Sequence, residues 1–162
     1  MPKTWLSEKI RKMHLGVKIK AGFLGDIKVF AGVDPISGST SGYAYGLVGA
    51  NNGATTLYSE EIDVTDYSSV TVSGSIGGGS KDNNLGNGGC LYRIGLQGAI
   101  NKSTENTGYG GNTVTVGANA TWDLTEVVGK VRVYCYFTCY SADNSGAGQC
   151  YSQATVRWTF NP

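Results

Sequence analysis

From Lys130 to Tyr140 the chain reads KVRVYCYFTCY, and from Gln149 to Phe160 it reads QCYSQATVRWTF; both runs alternate with a period of two. Successive side chains of a β-strand point to opposite faces, so this period marks a strand with one face in a core and the other in water. On that reading Val131, Val133, Cys135, Phe137 and Cys139 point inward, and Arg132, Tyr134, Tyr136, Thr138 and Tyr140 outward. In the second run Cys150, Ser152, Ala154, Val156, Trp158 and Phe160 share the inner face, opposite Tyr151, Gln153, Thr155, Arg157 and Thr159.

A segment of small polar residues separates the two runs, which predicts a closing hairpin. If Cys139 faces Cys150, every inward side chain meets an inward one, whereas a slip of one residue would set core against solvent along the whole ladder. That register places two sulfurs opposite each other. It leaves two readings open, a pair of buried thiols or a disulfide between Cys139 and Cys150 formed after release from a reducing compartment. Cys135 and Cys139 lie too far apart along one strand to bridge, and Cys90 reads as a small core residue.

The rest of the chain repeats this strand character. Its 25 glycines against 3 prolines, with many Ser, Thr, Asn and Tyr, suit short strands joined by tight turns and do not suit a helical protein. Strands are expected at 43–48, around 56–62, at 70–75, 90–100 and 113–116, and in the two terminal runs. IGGGSKDNNLGNGG at 76–89 reads as a long loop. With about eight or nine strands and turn signals between them, the expected fold is all-β: an antiparallel two-sheet sandwich with jelly-roll connectivity.

The N-terminal segment differs. Residues 1–33 carry seven basic side chains against Glu8 and Asp26, a local charge of +5, which leaves −4 for the remainder of a chain whose net charge is +1. WLSEKIRKMH (5–14) has the spacing of a short amphipathic helix, and LGDIKV with its neighbours reads as a small β-ribbon with glycine turns. VDPISGSTSG (33–42) is rich in turn formers and marks the expected boundary. The domain reading is therefore a basic attachment arm over 1–33, with Trp5, Lys9, Arg11, Lys12, Lys18 and Lys20 as its contact residues, and a β-sandwich over 34–162.

The outward tyrosines Tyr134, Tyr136, Tyr140 and Tyr151, flanked by Arg132, Gln153 and Arg157, would form a flat aromatic and polar patch. Such side chains combine large contact area with a hydrogen-bonding tip, which suits a subunit interface or a sugar ring. Catalytic chemistry has little support. The single histidine, His14, is in the basic arm, and Asp63 with Asp66 and Asp123 with Glu126 sit where Asp and Thr close turns. The cysteine spacing lacks a zinc knuckle, and GSIGGGSKDNN lacks the order of a phosphate-binding loop, so neither a metal nor a cofactor is expected. Near-neutral net charge argues against nucleic acid as a partner, and no apolar run is long enough for membrane insertion or a secretory signal. The expected origin is the cytoplasm.

WLSEKIRKMHLGVKIKAGFLGDIKVFAGV resembles the openings of small proteins encoded among the tail genes of phages and prophages of Gram-positive bacteria. YSEEIDVTDYSSVTVSG, WDLTEVVGKVRVYCYF and the final VRWTF resemble the jelly-roll domains of the same proteins, in which I-D-V-T-x-Y ends one strand and D-L-T-x-x-x-G precedes the penultimate one. The resemblance implies a virion structural protein: a tail fibre, baseplate or decoration subunit. The expected partners are other tail proteins and further copies of itself, with a cell-surface glycan through the tyrosine face, and the expected final location is a particle released by lysis; the alternatives are a carbohydrate-binding module using that aromatic face and a self-assembling filament that donates residues 15–33 as a strand. The resemblance implies no catalytic residues.

Overall fold

The structure, a computed structural model, describes residues 22–24, 27–29, 33–47, 53–80, 89–109, 113–140 and 149–162. Two short strands, β1 (Gly22–Leu24) and β2 (Ile27–Val29), pair with each other as an antiparallel ribbon, as the glycine-punctuated repeat predicts. The helix expected at 5–14 and all six named arm residues lie outside the described residues.

Nine further strands follow: β3 (Ile36–Leu47), β4 (Gly53–Tyr58), β5 (Ile62–Asp63), β6 (Ser69–Ser80), β7 (Gly89–Gly98), β8 (Lys102–Tyr109), β9 (Thr113–Asp123), β10 (Lys130–Tyr140) and β11 (Gln149–Asn161). One sheet runs β3-β11-β6-β9 and the other β4-β10-β7-β8, with β5 also pairing with β10. Every pairing is antiparallel. The long strands pair from the outside inward: β3 with β11, β4 with β10, β6 with β9 and β7 with β8. A long two-stranded ribbon rolled onto itself gives this order, which is the jelly roll expected from the sequence.

The closing hairpin does not form. β10 lies between β4 and β7, β11 lies between β3 and β6, and the two runs belong to opposite sheets. The assignment of faces nevertheless holds: Val131, Val133, Cys135 and Phe137 are buried from one sheet, and Ser152, Ala154, Val156, Trp158 and Phe160 from the other. Alternation states which side chains need a core. It does not choose among partners that alternate equally well, and both runs are central strands that need two neighbours each.

Two further expectations are corrected. The stretch 33–42, read as turn-rich, is mostly strand β3, and the start of the loop at 76–89 is the end of strand β6. In β3 small residues are required for packing. A Cβ on Gly38 would lie 2.6 Å from Cε2 of Trp158, so glycine lets the indole lie against the strand. KSTENTGY, which has no apolar alternation, is the polar edge strand β8.

One tyrosine links the sheets through the core. Tyr92 of β7 is fully buried and donates from Oη to the Thr155 carbonyl of β11 at 2.8 Å. Gly74 of β6 makes the approach possible, because a Cβ there would collide with both the Tyr92 hydroxyl and the Thr155 carbonyl oxygen. Burial pushes the Tyr92 phenol well above its ordinary range and the adjacent Cys135 thiol up to about 11, so both stay protonated as core groups.

At one end of the sandwich, two D-x-T turns interlock. Asp63 Oδ1 accepts from the Thr65 amide (3.1 Å) and hydroxyl (2.6 Å), and Asp123 Oδ1 from the Thr125 amide (2.8 Å) and hydroxyl (2.5 Å). These carboxylates therefore close turns, as expected. Val64 and Leu124, between each Asp and Thr, are fully buried. Gly129, at φ +116 where a side chain would strain the backbone, joins the turns: its amide donates to Thr65 Oγ1 and its carbonyl accepts from the Val64 amide.

Two outcomes are expected. Gly74→Ala should cost about 1–3 kcal/mol through overpacking, and Tyr92→Phe about 1 kcal/mol through the lost hydrogen bond, both read as lower urea midpoints. Hydrogen bonds from the Thr125 hydroxyl and then its amide hold Asp123 below its ordinary pKa of 3.8. A depressed carboxylate stabilises the fold above its unfolded value and loses that contribution as pH falls through the folded one. Thr125→Val should therefore be less stable than the parent chain above pH 3.8, with the gap in urea midpoint narrowing as the solution is acidified below it.

Candidate functional site

The outer face of the β4-β10-β7-β8 sheet carries the molecule's densest group of described tyrosines. Register fixes its rows. Tyr58 lies across from Tyr134, and Tyr134 from Gly95, which faces Ser103; in the next row Thr56 faces Tyr136, Tyr136 faces Arg93, and Arg93 faces Glu105. Arg132 lies opposite Gln97. Four separate strands thus contribute, and together they line a depression of about 400 Å³ whose walls include Thr56, Tyr58, Arg93, Gln97, Asn101, Ser103, Tyr134 and Tyr136.

The aromatic groups are held in defined positions. Tyr58 and Tyr134 have ring centroids 6.0 Å apart with planes tilted by 41°, so their faces are not used up on each other. Gly95 allows Tyr134 to lie flat on the sheet: a Cβ there would sit 2.6 Å from Cε1 of the ring. The Arg93 guanidinium stands 5.7 Å from the Tyr136 centroid and is fixed on its other side by Glu105, with Nε and Nη2 donating to Oε2 at 2.8 and 2.6 Å. This hydrogen-bonded pairing pushes Arg93 further above its already high pKa.

The charges at the rim are also paired. Glu61 Oε1 lies 3.7 Å from Arg132 Nη2, and its Oε2 lies 3.8 Å from Lys130 Nζ. All three side chains are more than half or about half exposed, so these pairs orient the groups and add little stability. The depression therefore offers aromatic faces, hydroxyls and amides, with Arg93 paired to Glu105 and Lys102 as a further cation in its lining. Among the described residues no three His, Cys, Asp or Glu side chains converge as a metal site.

Of the outward residues expected to act together, the structure unites Arg132, Tyr134 and Tyr136. Gln153 and Arg157 are exposed on the outer face of the other sheet, because β11 is not the neighbour of β10. The side chains of Tyr140 and Tyr151 lie outside the described residues, as do those of Cys139 and Cys150. The hairpin that set those two cysteines opposite each other is absent; the backbone register pairs Cys139 with Cys90 and Gly53, and Cys150 with Ser80 and Gly46. Cys90 and Cys135 are buried.

Sequence reasoning missed Tyr58, Thr56, Arg93, Gly95, Gln97 and Ser103. Alternation in CLYRIGLQG does place Arg93 and Gln97 on one face. Nothing local could show that this face continues that of β10.

The other sheet presents a different surface. Its outer face is built from hydroxyls, with Ser37 and Thr159 in contact at 2.9 Å and Thr71 and Thr121 at 3.1 Å. Among the described side chains, Tyr43 is its exposed aromatic group, at 56%.

No family model matches this chain, and no curated protein matches it. Solved structures do share its fold. A chain from the structure of infectious bursal disease virus, Gx strain, superposes with a TM-score of 0.55 at 13% identity over 79% of this chain and 32% of that one. The VP2 subviral particle of infectious bursal disease virus gives 0.53 at 10% identity over 78% and 33%. T=1 particles derived from the same virus give 0.50 at 12% identity over 78% and 32%. This chain thus spans about a third of the length of those chains, and the likeness is one of fold.

Proposed function

We propose that this protein is a non-enzymatic structural component of a phage or phage-like particle, attached to its neighbours through the basic segment 1–33. The observation that carries the reading is the jelly-roll sandwich, a fold that superposes over 78% or more of this chain on chains of virus particles. The charge division supports it: an arm of +5 beside a body of −4 is suited to docking between copies or onto other subunits. The resemblance of the D-V-T and D-L-T segments to tail-associated jelly rolls supports a tail position within the particle.

On this account the arm is the assembly element, and the four-strand outer faces are surfaces for neighbours or for ligands. The full chain is expected to run as a defined oligomer by light scattering under reducing conditions. Reversing charge in the arm, with Lys9→Glu, Arg11→Glu and Lys12→Glu together, should reduce it to a folded monomer, and raising salt should act in the same direction. A parent chain that stays monomeric at every concentration, and enters particles equally well with the reversed arm, would contradict the proposal.

A further inference from the structure

We infer that the depression on the β4-β10-β7-β8 sheet is a binding site for a neutral saccharide, with Tyr134 as its platform. Three observations lead there. The first is shape: about 400 Å³ is within the range of about 300–1,000 Å³ in which small-molecule sites fall. The second is the arrangement of the rings. Tyr134 lies over Gly95, and Tyr58, 46% exposed, leans beside it at 41°, so an apolar face is left open between and above them.

The third observation is charge. Arg93 is taken up by Glu105, and the other polar groups of the lining are the uncharged Thr56, Gln97, Asn101 and Ser103, with Lys102 as the one further cation. A pyranose has an apolar face of C–H groups and a rim of hydroxyls that both donate and accept. The site has the same two parts in the complementary arrangement. The uncharged hydrogen-bonding groups outnumber the one lysine, which suits a ligand rich in hydroxyls, and a purely apolar one would leave the amides and hydroxyls desolvated without partners.

The glycine carries further weight. A side chain at position 95 would lift the Tyr134 ring off the sheet and fill the floor, and glycine within a strand otherwise weakens it. Close approach of a ring to the backbone accounts for its presence. The inference does not rest on the assembly role: a chain that never oligomerises can bind a sugar, and one that oligomerises can fail to.

The test is saturation-transfer NMR on the full chain with methyl β-D-glucopyranoside, methyl β-D-galactopyranoside and N-acetylglucosamine, and with glucuronate as the charged comparison. Transfer is expected to at least one neutral sugar, strongest at its ring C–H protons and unchanged between low and high salt. Tyr134→Ala should abolish the signal and Tyr134→Phe retain it, which separates loss of the platform from loss of the fold. Tyr43→Ala, on the opposite sheet, should leave it intact. Absence of transfer to every neutral sugar would overturn the inference. So would transfer to glucuronate alone, or equal loss in Tyr43→Ala. A Tyr134→Ala chain that changes its oligomeric mass, from a parent that gave no sugar signal, would instead identify the face as a subunit contact.

Discussion

Phe137 from β10 and Phe160 from β11 enter one core from opposite sheets, and both are fully buried. Each such side chain contributes about 1.5–3 kcal/mol by leaving water, and each is held in place only because its strand has a hydrogen-bonded neighbour on both edges. The two alternating runs are therefore central strands. A hairpin of the two would set both aromatic side chains on one wall, whereas the observed order places one on each. Once β10 and β11 occupy the middles of different sheets, the chain has to wrap around them in nested pairs.

The internal details serve that wrapping. Tyr92 reaches through the space left by Gly74 to the Thr155 carbonyl, which fixes how the sheets lie on one another. The interlocked D-x-T turns drive Val64 and Leu124 into the end of the core while satisfying the backbone there. The interior is filled mainly by apolar side chains, with Tyr92 and Tyr67 hydrogen-bonded to backbone carbonyls and Ser152 buried among them, and the larger polar groups lie on the outer faces. Those differ in kind: a hydroxyl-rich surface on one sheet, and rings set among charged groups on the other.

Much of this was legible in the sequence, for physical reasons that can be named. Period two identified the buried faces of β10 and β11, and the Asp-Thr pairs announced their turns. Glycine was misread at Gly38, which looks like a turn residue in sequence and acts as a clearance beneath Trp158 inside a strand; Gly74 was placed in its strand, but nothing local marks its clearance for Tyr92. The candidate site was half legible. Tyr134, Tyr136 and Arg132 share a strand and so share a face, whereas Tyr58 and Arg93 join them only through long-range pairing, and pairing partners leave no local mark.

The strand order itself can be tested by cross-linking. A terminal hairpin would set Arg132 opposite Arg157, whereas the jelly roll sets Arg132 opposite Gln97. Two double variants, Arg132→Cys with Gln97→Cys and Arg132→Cys with Arg157→Cys, would be oxidised as folded protein and mapped by peptide mass spectrometry. The account predicts an intramolecular disulfide between positions 132 and 97 and none between 132 and 157. A 132–157 bond in its place would contradict the jelly roll, and with it the candidate site assembled on the β4-β10-β7-β8 sheet.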